Sequence, residues 1–119
     1  MRRLLATRGT SSRVAFAVVV LVSFVVLFAP GSDVPPSPPG VDKLVHGGLF
    51  LALAFSGRWA GIRRELLAVL LPGYAAASEL IQAIPALHRD ASVGDWLADV
   101  VGVLLGLLLW TLVERRRFR

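Results

Sequence analysis

Sixteen residues from Val14 to Ala29, VAFAVVVLVSFVVLFA, pass without a charge. A helix that crosses the hydrocarbon core of a bilayer needs about 20 apolar residues, with a range of roughly 17–25. This run is slightly short, but its polar N-terminal flank can extend it, and Pro30 and Gly31 mark its end. Three further apolar runs follow: LVHGGLFLALAFSGRWA from Leu44, LLAVLLPGYAAASELIQAI from Leu66, and WLADVVGVLLGLLLW from Trp96. With 119 residues, 55% of them hydrophobic, and a mean hydropathy of +0.69, the chain is more apolar than a soluble domain of its size. The expectation is an all-α membrane protein. It has one domain, 1–119, folded as a four-transmembrane-helix bundle with helices at about 14–30, 42–60, 66–84 and 93–113. Cysteine is absent, which excludes disulfides, thiol nucleophiles and Cys-based metal sites.

Basic residues set the expected orientation. Arg2, Arg3, Arg8 and Arg13 precede the first run; Arg58, Arg63 and Arg64 lie between the second and third; Arg115, Arg116, Arg117 and Arg119 follow the fourth. With four spans all three groups fall on one side, and the other side keeps only Lys43 and Arg89. The positive-inside rule then predicts a multi-pass protein of the cell membrane with both termini cytoplasmic. The net charge of +5 is accounted for by this placement and by contact with anionic membrane lipid. Nucleic acid is not an expected partner, since no aromatics interleave the basic segments to stack bases. Basic residues before an apolar run also open a signal peptide, but LFAP offers a poor small-x-small cleavage site, so the first helix is expected to be retained. The first connection, PGSDVPPSPPGVDK, reads as a stiff polyproline spacer.

Ionisable residues inside such a bundle are costly and mark functional sites by default. Here they gather at one depth. Asp42 and His46 are four apart on the second helix, with Lys43 beside them; Glu79 and Gln82 are three apart on the third; Asp95 and Asp99 are four apart on the fourth. At about 1.5 Å rise per residue, His46, Glu79 and Asp99 fall roughly 6–9 Å inside the outer boundary. Asp95, Asp99, Gly102 and Gly106 form one stripe, and the last two make a GxxxG packing pair. The stripe predicts that both aspartates point into the bundle, towards His46, Lys43 or Arg89. Plainer roles compete for several of these residues. Asp42 and Asp95 suit helix N-termini, where a carboxylate complements the dipole, and Ser92-x-x-Asp95 fits a capping pattern. Lys43 and Arg89 suit the head-group level, His46 suits a hydrogen-bonded packing position, and His88 suits an exposed loop. Pro72-Gly73 predicts a kink in the third helix.

Together these residues resemble the VanZ-like family of small bacterial membrane proteins. The resemblance rests on DKLVHGGLFLALA and on SELIQAIPALHRDASVGDWLADVVGVLLG, and covers about residues 42–110. The family pattern has Asp-Lys-x-x-His opening a helix, then Glu-x-x-Gln, then Arg, small residues and Asp, then Asn four residues later, with spaced glycines. Asp42, Lys43, His46, Glu79, Gln82, Arg89, Ser92, Asp95, Gly102 and Gly106 match it; Asp99 stands where Asn is expected. The resemblance implies a role at the outer face of the bacterial envelope. The family's namesake is associated with low-level resistance to the glycopeptide teicoplanin.

Three functional classes follow. The favoured one is a non-enzymatic envelope protein whose outer-leaflet polar site binds a lipid-linked cell-wall precursor or a lipoglycopeptide. Lys43, Arg89 and His46 would meet a phosphate, and Glu79, Gln82 and Asp95 would orient them or accept hydrogen bonds. The second is an intramembrane enzyme acting on a lipid head group. In it His46, Glu79, Asp95 and Asp99 would supply acid and base or hold a divalent cation; no HExxH or other compact metal motif supports it. The third is a structural or small-solute membrane protein in which the acids only lock helix register. In the favoured reading no cofactor and no metal centre are expected.

Overall fold

The computed structural model describes residues 8–28, 40–82 and 93–117, with Gln82 and Arg117 described by their backbone alone. It is all-helical. Four helices follow in chain order: α1 (Thr10–Phe28), α2 (Val41–Trp59), α3 (Arg64–Gln82) and α4 (Val93–Arg117). Two of them, α1 and the Val93–Arg116 stretch of α4, are long and apolar enough to cross a membrane. In α2 and α3 most charges sit in the first and last turns: Asp42, Lys43 and Arg58 in one, Arg64, Glu65 and Glu79 in the other.

Local chemistry explains several boundaries. Gly40 precedes α2 with φ 88°, a left-handed conformation that costs glycine nothing sterically. Asp42, Glu65 and Asp95 each lie in a first turn, where a negative charge complements the helix dipole. At the other end of α2, Gly61 adopts φ 95°. Ile62 N–H donates to the Gly57 carbonyl at 3.0 Å and Gly61 N–H to the Arg58 carbonyl at 3.0 Å. This paired closure is a Schellman motif, which needs a left-handed residue after the helix. It turns the chain within four residues into α3, which then runs without interruption through Pro72.

Sequential neighbours are antiparallel, so α1 and α3 run one way and α2 and α4 the other. Arg8 N–H reaches the Trp59 carbonyl (3.2 Å), which joins the start of α1 to the end of α2. Arg64 reaches Thr111 (3.4 Å), which joins the start of α3 to the last third of α4. The α2–α4 contact is the most extensive in the bundle. The core lies between Phe50, Leu53 and Ala54 of α2, Leu67, Leu71 and Ala75 of α3, and Val103 and Leu107 of α4, closed by Leu27 of α1. Tyr74 packs edge-on or tilted among Phe24, Phe28 and Phe50, and its hydroxyl shares a 2.9 Å hydrogen bond with Ser23 Oγ.

The outside carries many large apolar side chains. Among the described residues 21 large hydrophobic side chains are exposed, against 10 buried hydrophobic ones, and every helix contributes to the exposed set. Exposed apolar patches of more than a few hundred Å² mark interaction surfaces on soluble proteins.

A polar cluster at one end of the bundle

The register of α2 against α4 builds the site. The two helices are parallel and in very close contact, because glycine removes the side chains that would separate them. A Cβ placed on Gly102 would overlap the Gly47 carbonyl, and one on Gly106 would overlap the Leu51 carbonyl and stand 2.8 Å from Ala54 Cβ. The GxxxG stripe of α4 therefore seats directly on the backbone of α2. Gly47 is the facing small residue; a Cβ there would lie 3.3 Å from the Ala98 carbonyl.

Once the glycines fix the register, residues about a turn closer to the N-terminal ends of both helices must meet. Lys43 Nζ donates to Asp95 Oδ1 at 3.0 Å. His46 Nδ1 stands 3.4 Å from Asp99 Oδ1. The same parallel register continues to the far end, with Phe55 edge-on to Trp110 at 5.4 Å and Arg58 3.8 Å from Glu114.

The two polar pairs differ in solvation. The Lys43 side chain is 48% exposed and that of Asp95 10%, so this pair sits at the mouth. His46 and Asp99 lie deeper, at 4% and 0%. Their contact is close but not aligned as a hydrogen bond. Among the described residues neither His46 Nδ1 nor either Asp99 carboxylate oxygen has a hydrogen-bond partner. From α3, Glu79 is also buried, and one ligand-type atom each from His46, Glu79 and Asp99 lie within 4.8 Å of one another. Three helices thus converge on one small group: an imidazole and two carboxylates beneath an ammonium–carboxylate pair.

Of the residues singled out from the sequence, the structure brings together Lys43, His46, Glu79, Asp95 and Asp99, with Gly102 and Gly106 at the packing seam. Asp42 is different. It is exposed in the first turn of α2, although it shares a helical face with His46, and it makes none of the cluster's contacts recorded above. Arg89, His88 and Ser92 lie outside the described residues, as does the side chain of Gln82.

Two positioning residues were not singled out from the sequence. Gly47 is one; the signal was its place in HGG beside a candidate site histidine. Trp96 is the other. Its indole N–H donates to the Pro72 carbonyl at 3.1 Å, linking α4 to α3 between the two aspartates. An indole next to Asp95, one position off the packing stripe, was the available clue, since a Trp N–H in a packed helix interface usually finds a partner.

The opposite end of the bundle is basic. Arg8, Arg58, Arg63, Arg64, Arg115 and Arg116 gather there, with Glu65 and Glu114 as the acids among them. Comparison with known protein families, curated proteins and solved structures gave no match.

Proposed function

We propose that this chain is a multi-pass bacterial membrane protein of VanZ-like type, and that its polar cluster receives the head group of an amphiphile at the outer face of the cell membrane. One observation carries the reading. Lys43, His46, Glu79, Asp95 and Asp99 sit at one end of a bundle whose other end holds the arginines. A surface of exposed Leu, Val and Phe lies between the two ends. The described chain measures 49 × 26 × 23 Å, and its long axis matches a bilayer of about 40–45 Å with head groups included.

In this reading all four helices cross the membrane. The charges of α2 and α3 near their ends fall at head-group level, and the arginine-rich end faces the cytoplasm. The ligand is a lipid-linked cell-wall precursor or a lipoglycopeptide. Its acyl or prenyl chain lies against the apolar helix faces, and its phosphate or carboxylate meets the half-exposed Lys43 ammonium. Asp95 holds that ammonium in place. Pockets with apolar walls and a few convergent polar groups suit ligands of this kind. The role is recognition, with membrane lipid as the constant partner.

The test is teicoplanin susceptibility of a sensitive Gram-positive host expressing wild type, Lys43→Ala or Asp95→Ala at matched membrane levels. The proposal expects wild type to raise resistance and both variants to lose the gain. Wild type without effect would remove the antibiotic from the ligand class, and variants as active as wild type would remove the cluster from the function.

A further inference from the structure

We infer that His46, Glu79 and Asp99 form a binding site for one divalent transition-metal cation of the Zn²⁺ class. Two independent observations support it. The first is the donor set. One imidazole nitrogen and two carboxylate oxygens, from three different helices, lie within 4.8 Å of one another. Zn²⁺ takes N and O donors at about 2.0–2.2 Å in tetrahedral geometry, which puts neighbouring ligand atoms about 3.4 Å apart. His46 Nδ1 and Asp99 Oδ1 are 3.4 Å apart.

The second is what burial demands of Asp99. The residue is 0% exposed, and neither of its carboxylate oxygens has a hydrogen-bond partner among the described residues. The facing His46 Nδ1 is likewise without one. Buried polar groups in native proteins are nearly always satisfied, and buried charges are paired or coordinate metals. Rotating the imidazole to donate to Asp99 would serve one oxygen and leave the second. A cation between the imidazole and the carboxylates engages His46 Nδ1 and one Asp99 oxygen at once, and a water in its fourth position can donate to the other oxygen.

Lys43 pairs with Asp95 at 3.0 Å, so its ammonium is engaged at the mouth, above the buried His46–Asp99 contact. A neutral imidazole with carboxylates suits Zn²⁺, and Mn²⁺ and Co²⁺ less tightly, in the usual affinity order. Mg²⁺ is disfavoured, because it prefers six oxygen ligands and keeps its water. Three protein ligands leave one position of a tetrahedron for water or for an oxygen of a bound molecule.

The test uses the full chain purified in detergent, stripped with chelator and then titrated with Zn²⁺ alone. Metal is counted after desalting, and Co²⁺ serves as a spectroscopic substitute. The expected result is one tightly held Zn²⁺ per chain, a tetrahedral Co²⁺ absorption band displaced by Zn²⁺, and a higher melting temperature with metal. Asp99→Asn and Glu79→Gln, which keep side-chain volume, should each weaken binding by more than ~100-fold, beyond the 10–100-fold typical of losing an outer partner. Glu65→Gln, an exposed carboxylate at the opposite end, should bind as wild type does. Wild type that keeps no Zn²⁺ after desalting would overturn the site whatever the variants do. So would equal retention by Asp99→Asn in a variant with unchanged helix content.

Discussion

Lys43 and Asp95 make the clearest pairwise contact in the cluster, and they differ in how much they need each other. Lys43 is half in solvent; Asp95 is nearly covered. Replacing Lys43 with Met takes away the ammonium that faces a nearly buried carboxylate, while Asp95→Asn leaves an ammonium that water can still solvate. Lys43→Met should therefore lower the melting temperature more than Asp95→Asn. The double variant should lose less than the sum of the two single losses, because both remove one shared interaction. A double-mutant cycle followed by thermal melting in detergent checks this, and additive losses would show that the pair is not coupled. Sequence spacing alone could not assign these partners. It placed Asp42 and His46 on one face and Asp95 and Asp99 on another, and the rise per residue put His46, Glu79 and Asp99 at one depth. Which cation meets which acid depends on how far α2 slides along α4, and no residue spacing within one helix reports that. Asp99, which stands where the VanZ-like resemblance leads one to expect Asn, then falls opposite His46 and not opposite a lysine.

The sliding is settled between elements, by glycine. Alanine in place of a helical glycine gains about 1 kcal/mol of helix propensity; forcing a side chain into a packed seam costs about 1–3 kcal/mol or more. Which effect wins depends on what the new methyl group meets. At Gly48 and Gly73 it meets nothing within 4 Å, so Gly48→Ala and Gly73→Ala should leave stability unchanged or raise it by some tenths of a kcal/mol. At Gly102 and Gly106 it meets backbone carbonyls of α2, which cannot rotate away. Gly102→Ala and Gly106→Ala should each destabilise by about 1–3 kcal/mol and loosen the His46–Asp99 contact. Chemical or thermal unfolding of the four variants gives the comparison, and a uniform response across them would contradict the account of the seam. The GxxxG pair itself was legible from the sequence, but its landing place on Gly47 and Leu51 was not, since small residues are frequent along α2. Both α1, from Thr10, and α4, to Arg117, run beyond their apolar stretches into polar flanks, because a change from apolar to charged residues does not by itself stop a helix.

Among the described residues the molecule is polarised along its long axis, with Lys43, His46, Glu79, Asp95 and Asp99 at one end, arginines with Glu65 and Glu114 at the other, and exposed apolar side chains between. That arrangement was largely readable in advance, because the order of apolar runs and arginine clusters along the chain carries it. At the arginine end Trp110 lies edge-on to Phe55, and Arg58 donates to the Ile62 carbonyl at 2.9 Å and stands 3.8 Å from Glu114. Arg58→Ala removes both the hydrogen bond and the ion pair and should lower stability by about 1–3 kcal/mol, and should leave the distant Lys43–Asp95 pair intact. Unfolding of Arg58→Ala alone and combined with Lys43→Met tests this, with additivity expected for sites so far apart. The central claim is that the polar end opens on the outside of the cell. The chain has no cysteine, so single cysteines report cleanly, and the decisive measurement is labelling of Asp42→Cys and Arg63→Cys in intact cells with a membrane-impermeant maleimide. Both positions are exposed and lie at opposite ends of the bundle. The account predicts that Asp42→Cys labels in intact cells and Arg63→Cys only after lysis. Labelling of Arg63→Cys from outside with Asp42→Cys protected would contradict it.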